Sequence, residues 1–215
     1  MNNNFKAVIF DMDGVITDTM PYHFLAWQTV FASQGIKVSH EDIYKREGQK
    51  GINSVQEIFN EKGVNFNIII AKTLLKEKEN IFKKIFKRRF IRGSRSFIKH
   101  LSRKSYRLAL VTGTSRHEAI ELLPKDLWNF FEVTVCGCDV QNGKPHPEPY
   151  LKALKKLKLK SSEAIVIENA PFGVASAKAA GLKCIAIETS LPKKYLKQAD
   201  IVVKSYKDLK YEIKP

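Results

Sequence analysis

The chain is poor in cysteine, in acidic residues and in long apolar runs. Its three cysteines, Cys136, Cys138 and Cys184, are an odd and sparse set in 215 residues. That excludes a disulfide scaffold and suits a reducing compartment. No apolar stretch approaches the roughly 18 to 20 residues that cross a bilayer, so no membrane association is expected. The opening decapeptide MNNNFKAVIF lacks a basic region ahead of a long apolar segment and a small-residue cleavage site. No secretory signal is read there, and a cytoplasmic location is expected. Internal repeats and low-complexity segments are also missing. The acidic deficit is the abnormal quantity: 22 Asp+Glu face 37 Lys+Arg, a formal net charge of +15. Such a surplus points to nucleic acid, to an acidic surface, or to a small and highly anionic substrate.

What is present is an ordinary globular composition, 44% hydrophobic, which excludes wholesale disorder. The length fits one α/β domain with a small insertion, expected as a monomer. Ala7-Val8-Ile9-Phe10 is a short apolar run ended abruptly by Asp11. Similar runs recur at Leu108–Val111, Val133–Val135, Ala164–Ile167, Cys184–Ile187 and Ile201–Val203. Runs of this length, rich in Val and Ile, read as strands buried on both faces of a parallel sheet. Helix-like stretches such as Pro149–Leu159 and Gly173–Ala180 lie between them. The expected fold is therefore α/β, an open and mostly parallel sheet with helices on both faces.

Residues 19–89 break that rhythm. From Tyr22 to Phe31 the large apolar residues fall three to four apart, as on one helix face, and Trp27 and Phe31 read as core. A second helical stretch, Ile68 to Phe90, combines apolar positions with a dense Lys/Arg surface. This block reads as a small inserted α-helical cap over a core made of 1–18 and 90–215. Both of its ends return to one sheet edge, which suits a hinged lid.

Ligands of open α/β sheets bind beyond the carboxyl ends of the strands. Asp11-Met12-Asp13-Gly14 follows the first run, Thr112-Gly113-Thr114-Ser115 the second, and Glu168-Asn169 the fourth. Lys144 stands in Gly143-Lys144-Pro145, between the third strand and the next helix. Two carboxylates, a hydroxyl on a glycine-containing turn, a lysine and a further oxygen-bearing pair thus converge on one edge. This inventory fits phosphoryl transfer: a carboxylate nucleophile, oxygen ligands for Mg²⁺, and cationic and N–H donors for the phosphate oxygens. Asp13 points the same way only if the chain turns, and Gly14 eases such a turn.

DMDGV, VTGTS, GKPHPEPY and VIENAPFGVASAKAAG, in that order and each placed after a strand, resemble the four motifs of the haloacid dehalogenase superfamily of phosphatases and phosphomutases. The resemblance covers nearly the whole chain. The inserted block resembles that family's small helical cap, and Asp18-Thr19-Met20-Pro21-Tyr22-His23 is similar to the β-phosphoglucomutase-like subgroup. The resemblance implies that Asp11 is nucleophile and Mg²⁺ ligand. Asp13 would be the general acid/base, its backbone carbonyl also touching the metal. Thr112 would hold a phosphate oxygen, and Lys144 would offset the charge of nucleophile and transferring group. Gly113, Thr114, His23 and Lys50 are candidate substrate contacts, and Glu168 is a candidate metal ligand or helix cap.

One position departs from the usual pattern. Most relatives carry two acidic residues where this chain has Glu168-Asn169, so the amide of Asn169 ligates without contributing charge. Glu47, in the loop Arg46-Glu47-Gly48-Gln49-Lys50-Gly51, is a candidate helper ligand from the cap. The Glu47/Asn169 pair is similar to a pyrophosphatase of the subgroup. The mutases of the subgroup grip a second phosphate with a cap arginine after the Lys-Gly pair, and Lys50-Gly51-Ile52-Asn53-Ser54-Val55 contains none. The expectation is a Mg²⁺-dependent phosphohydrolase acting on a small anionic phosphorylated metabolite or on pyrophosphate. A phosphosugar mutase is the alternative, and a non-catalytic nucleic-acid binder on the same scaffold a more distant one. Cys136-Gly137-Cys138, with no second cysteine pair, reads as small residues at a strand end. The eight cations between Lys72 and Arg89 read as a solvated helix face or a field steering anions to the cleft. No nucleic-acid-binding motif accompanies them.

Overall fold

The computed structural model describes residues 5–213. Six strands form one sheet in the order β3-β2-β1-β4-β5-β6, with every neighbouring pair parallel. They are β1 (Ala7–Phe10), β2 (Arg107–Val111), β3 (Val133–Val135), β4 (Ala164–Glu168), β5 (Lys183–Ile187) and β6 (Ile201–Val203). All six expected strands are present, and the sheet is wholly parallel. The helices among the described residues are α1 (Met20–Ala32), α2 (His40–Tyr44), α3 (Gly51–Glu61), α4 (Ile68–Ile85) and α5 (Ser94–Arg103), followed by α6 (Arg116–Leu122), α7 (Lys125–Trp128), α8 (Glu148–Leu157), α9 (Pro171–Ala179) and α10 (Tyr206–Glu212).

Alternation along the strands sorts their side chains into two cores. Val8, Phe10, Leu108, Leu110, Ile165 and Ile167 face α5, α6 and α10 through Phe97, Ile98, Leu122, Tyr206 and Leu209. Ala7, Ile9, Ala109, Val111, Ala164 and Val166 face α8 and α9 through Tyr150, Leu154, Leu157, Val174 and Ala177. β1, β2, β4 and β5 are thus buried on both faces, which is why each reads as a continuous apolar run.

A third cluster lies apart from both. It joins Phe24, Trp27, Val30 and Phe31 of α1 to Ile43 and Tyr44 of α2, Val55, Ile58 and Phe59 of α3, and Ala71 and Leu74 of α4, with Leu191 as an outside contributor. Trp27 and Phe31 stack with ring centroids 5.3 Å apart inside it. The helical pattern from Ile68 stops at Ile85, short of Phe90. Phe86 already has extended backbone (φ −62°, ψ 131°), because the chain must run back to the sheet. There the Asp18 N–H donates to the Arg89 carbonyl at 3.0 Å, and Thr17 bridges to Phe90.

The strand order sets the position of the site. From central β1 the chain moves outward through β2 and β3, then crosses back to β4, β5 and β6. The point of reversal lies between β1 and β4, where crevices of doubly wound sheets form.

Candidate active site

Three adjacent strands deliver the central residues. Phe10 is in register with Leu110 of β2 and Ile167 of β4, so Asp11 stands level with Val111 and Glu168, and Thr112 follows one residue beyond. Lys144 enters from the segment before α8. Its Nζ lies 2.6 Å from Asp11 Oδ1 and 2.7 Å from Glu168 Oε1, and donates to the Val111 carbonyl at 3.3 Å. All three side chains are at most 4% exposed. Burial pushes the Asp11 carboxyl well up, and Lys144 opposes that rise. For Lys144 burial acts to lower the pKa, but Asp11 and Glu168 overcome it and raise it.

Glu168 is fully engaged. Oε1 accepts from Lys144 and from the Tyr150 hydroxyl at 2.7 Å, while Oε2 accepts from the Asn169 N–H at 2.9 Å and the Ala170 N–H at 3.4 Å. Glu168 thus holds Lys144 and the strand-to-helix turn, a role not among those expected for it. As a metal ligand, it would have to give up one of these donors.

Asp13 heads a second cluster. The turn expected after Asp11 forms at Gly14, whose φ is +78°, and the Gly14 N–H donates to the Thr17 carbonyl at 2.8 Å. Asp13 accepts from Thr19 Oγ1 at 2.5 Å, Thr114 Oγ1 at 2.9 Å and Thr112 Oγ1 at 3.4 Å. His23 Nε2 lies 3.5 Å from its Oδ1. Burial pushes the carboxyl up, yet His23, Thr19 and Thr114 outweigh burial and hold it at about 2. His23 is itself buried and stacks on Phe82, ring centroids 4.4 Å apart, so it faces Asp13 and not solvent.

Two buried oxygens, Asp11 Oδ2 and Asn169 Oδ1, have no hydrogen-bond partner among the described residues. Asn169 packs so closely on Gly14 that a Cβ there would lie 2.1 Å from Asn169 Nδ2. The same Nδ2 donates to Ser190 Oγ at 2.7 Å. Unsatisfied oxygens of a carboxylate and an amide are the donors a hard, oxygen-seeking cation takes. No group of three or more His, Cys, Asp or Glu side chains is arranged to hold a metal among the described residues. A cation here would thus complete its shell with backbone oxygen and water.

The loop carrying Glu47 closes over this edge. A Cβ on Gly113 would lie 2.9 Å from the Gly48 carbonyl oxygen, and one on Gly48 would lie 2.5 Å from Lys144 Cδ. Glycine at both positions permits the approach of backbone to backbone and of backbone to lysine stem. Beside the seam is a cavity of about 350 Å³, with Trp27, Ile52, Leu75 and Phe82 among its apolar walls. Glu47, Gly113, Thr114, His23 and Lys50 also line it. Glu47 is half-buried; burial raises its pKa, with His23, Lys78 and Lys144 pulling it down and Asp13 adding to the rise. Lys50 is exposed at the rim.

Several participants carry no assignment from sequence. Tyr150 and Thr19 lie inside the motifs, but nothing in the letters shows whom they bond. Lys78 reaches the cavity from α4 because it shares the stripe of Ala71, Leu74 and Phe82; a lysine on an apolar stripe was the available signal. The other seven cations from Lys72 to Arg89 are exposed. Arg46 is spoken for: it donates to Glu57 Oε2 at 3.0 Å, to the Asp42 carbonyl at 2.7 Å and to Glu61. Cys136 is buried and Cys138 exposed.

The sequence profile described as Haloacid dehalogenase-like hydrolase matches residues 8–187, most of the chain. The chain belongs to this family. A phosphorylated carbohydrates phosphatase of Thermotoga maritima is 37% identical over 185 residues, covering 84% of this chain and 83% of that protein. A Caldanaerobacter subterraneus protein named for pyrophosphatase activity is 30% identical, covering 89% and 86%. Among solved structures, β-phosphoglucomutase from Clostridium difficile superposes with a TM-score of 0.83 at 26% identity, covering 97% and 94%. No helix among the described residues is long and apolar enough to cross a membrane.

Proposed function

We propose that this family member is a Mg²⁺-dependent phosphohydrolase that cleaves small organic phosphate monoesters through an aspartyl-phosphate on Asp11, with 19–89 acting as its cap. The observation that carries this is Lys144, bound to Asp11 Oδ1 beside two unpartnered buried oxygens, Asp11 Oδ2 and Asn169 Oδ1. Together these groups would serve as nucleophile, counter-charge and cation ligands in a site shielded from water.

Mg²⁺ held by Asp11, Asn169 and the Asp13 backbone carbonyl would supply Lewis-acid polarisation of the phosphate oxygens. The chain's own residues do the rest. An Asp11 carboxylate oxygen bonds to phosphorus as the ester P–O bond breaks, and the departing alkoxide takes a proton from Asp13. The free enzyme holds Asp13 ionised, with a pKa of about 2. A phosphate dianion placed against it raises its proton affinity and loads it for this transfer. Asp13 then accepts a proton from the water that attacks the aspartyl-phosphate, releasing orthophosphate and regenerating Asp11. Thr112, the Gly113–Thr114 turn and Lys144 face the transferring oxygens.

Hydrolysis is favoured over mutase chemistry because Arg46, the arginine nearest the Lys50-Gly51 pair, is held by Glu57 and Glu61. An organic substrate is favoured over pyrophosphate by the cavity, whose size and apolar walls suit a carbon body. Nucleic-acid binding has no support. Phe82 of the basic stretch stacks on Phe86 and on His23, and Phe86 meets Tyr22 edge to face, so they do not form an exposed platform.

The decisive test is Asp11→Asn. It keeps the side-chain shape and should lower Mg²⁺-dependent phosphate release from monoesters at least about a thousandfold, with the circular dichroism spectrum unchanged. Wild-type-like turnover would overturn the nucleophile assignment.

A further inference from the structure

The cavity between cap and core carries acidic groups that the chemistry at Asp11 does not use. Glu118, in the first turn of α6, lines it from the core side, and Glu47 and Glu79 line it from the cap. Ser115 Oγ donates to Glu118 Oε2 at 2.7 Å and steadies that carboxylate. Facing them is the ammonium of Lys78. Its Nζ lies over the rings of Trp27 and Phe82, 5.6 and 5.2 Å from their centroids, so two aromatic faces fix where it sits. Burial pushes the Lys78 pKa down, and Glu47, Glu118, Asp13 and Glu79 act against that loss of charge.

We propose that Glu118 is a specificity-determining residue: it balances Lys78 across the cleft and denies that end of the cavity to a second phosphate. The local charge balance supports this. Lys50 and Lys78 bring two positive charges, while Glu47, Glu79 and Glu118 bring three negative ones, and Arg46 is already paired with Glu57 and Glu61. A protein with net charge +15 therefore draws anions to a cleft whose far wall is neutral to acidic. One phosphate is accepted at Asp11, next to the Gly113–Thr114 edge of the cavity, where Thr114 bonds Asp13, and a hydroxyl-bearing, uncharged body fits against Glu118 and Lys78. A second phosphate would meet carboxylates at low dielectric, where like charges cost most. This rests on reading the cavity as the substrate pocket.

The test is calorimetric binding of glucose 6-phosphate and glucose 1,6-bisphosphate, with Mg²⁺, to Asp11→Asn protein, so that neither sugar is consumed. Adding Glu118→Gln should improve bisphosphate affinity relative to monophosphate at least tenfold. Adding Lys78→Met as well should erase the gain, since the freed ammonium would be its source. An unchanged ratio, a gain that survives Lys78→Met, or no binding of either sugar to the Glu118→Gln protein would overturn the proposal. If Glu118 serves only to cap α6, its replacement moves thermal stability and leaves the ratio where it was. The readout is binding, so failure of the hydrolase assignment itself shows separately, as absence of turnover in the wild type.

Discussion

The ammonium of Lys144 lies 2.6 Å from Asp11 Oδ1, and neither side chain exceeds 4% exposure. The pair joins residues 133 positions apart in sequence and ties the segment before α8 to the end of β1. Lys144 also serves Glu168, so one cation offsets two buried carboxylates.

Replacing Lys144 by Met should therefore cost stability as well as activity. Two carboxylates would be left buried without a counter-charge, worth about 3–5 kcal/mol at neutral pH. The sign with pH follows. Without Lys144, the folded-state pKa of Asp11 rises further above its unfolded value. The folded protein then binds more protons than the unfolded chain, and stability returns as pH falls. Urea unfolding of wild type and variant at pH 8 and pH 5 checks this; a gap that does not narrow at pH 5 would contradict it.

Thr19 supplies a different kind of support. Its hydroxyl donates to Asp13 Oδ1 at 2.5 Å, and Asp13 is held at about 2, below the 3.8 ordinary for an aspartate. A depressed carboxyl contributes stability that is present above its unfolded pKa and lost as pH falls through the folded one, here from about 4 to 2. Thr19→Val should cost about 1–3 kcal/mol at pH 7 in metal-free buffer. The difference from wild type should shrink between pH 4 and pH 2 as Asp13 takes its proton. A constant difference across that range would mean that Thr19 acts through packing alone.

The inner strands β1, β2, β4 and β5 were legible because each is buried on both faces, leaving uninterrupted apolar runs. Asp11, Asp13, Thr112 and Lys144 were legible as candidates because each falls where a strand or its following loop ends. Their pairings were not. Nothing local to GKPHPEPY shows that Tyr150 and Lys144 meet on one oxygen of Glu168. Lys78 was hidden in a crowd of lysines, although its place on the apolar stripe of α4 marked it. Ser190, the partner of the Asn169 amide, lies in a loop after β5 with no pattern to announce it. The overrun of α4 had a tertiary cause: helical periodicity continues to Phe86, but the return to Thr17 pulls the backbone out.

In the proposed Mg²⁺ site, Asn169 should set how strongly the cation is held. Its Oδ1 is unpartnered and uncharged, so adding or removing ligand charge at this one position should move Mg²⁺ affinity in opposite directions. Asn169→Asp should lower the Mg²⁺ concentration for half-maximal activity about tenfold. Asn169→Leu should raise it at least as much and abolish the rise in melting temperature that Mg²⁺ gives the wild type. A Mg²⁺-induced shift that persists in Asn169→Leu would remove this residue from the metal site.

The loop carrying Glu47 approaches the sheet edge backbone to backbone at Gly48 and Gly113. A Cβ on Gly113 would stand 2.9 Å from the Gly48 carbonyl oxygen and 3.0 Å from its Cα. Both contacts are backbone, so no side chain can swing aside. Gly48 is also packed on the Lys144 stem, whose Cδ would lie 2.5 Å from a Cβ there. Gly113→Ala should therefore push the Glu47 loop off the site and disfavour the closed arrangement. Since Gly113 is exposed and not in the left-handed region, alanine there should change global stability by no more than about 1 kcal/mol. The expected result is kcat lowered at least about tenfold with a nearly unchanged melting temperature. Parallel kinetics and thermal unfolding decide it, and a wild-type kcat in Gly113→Ala would show that closure at this seam is not needed for turnover.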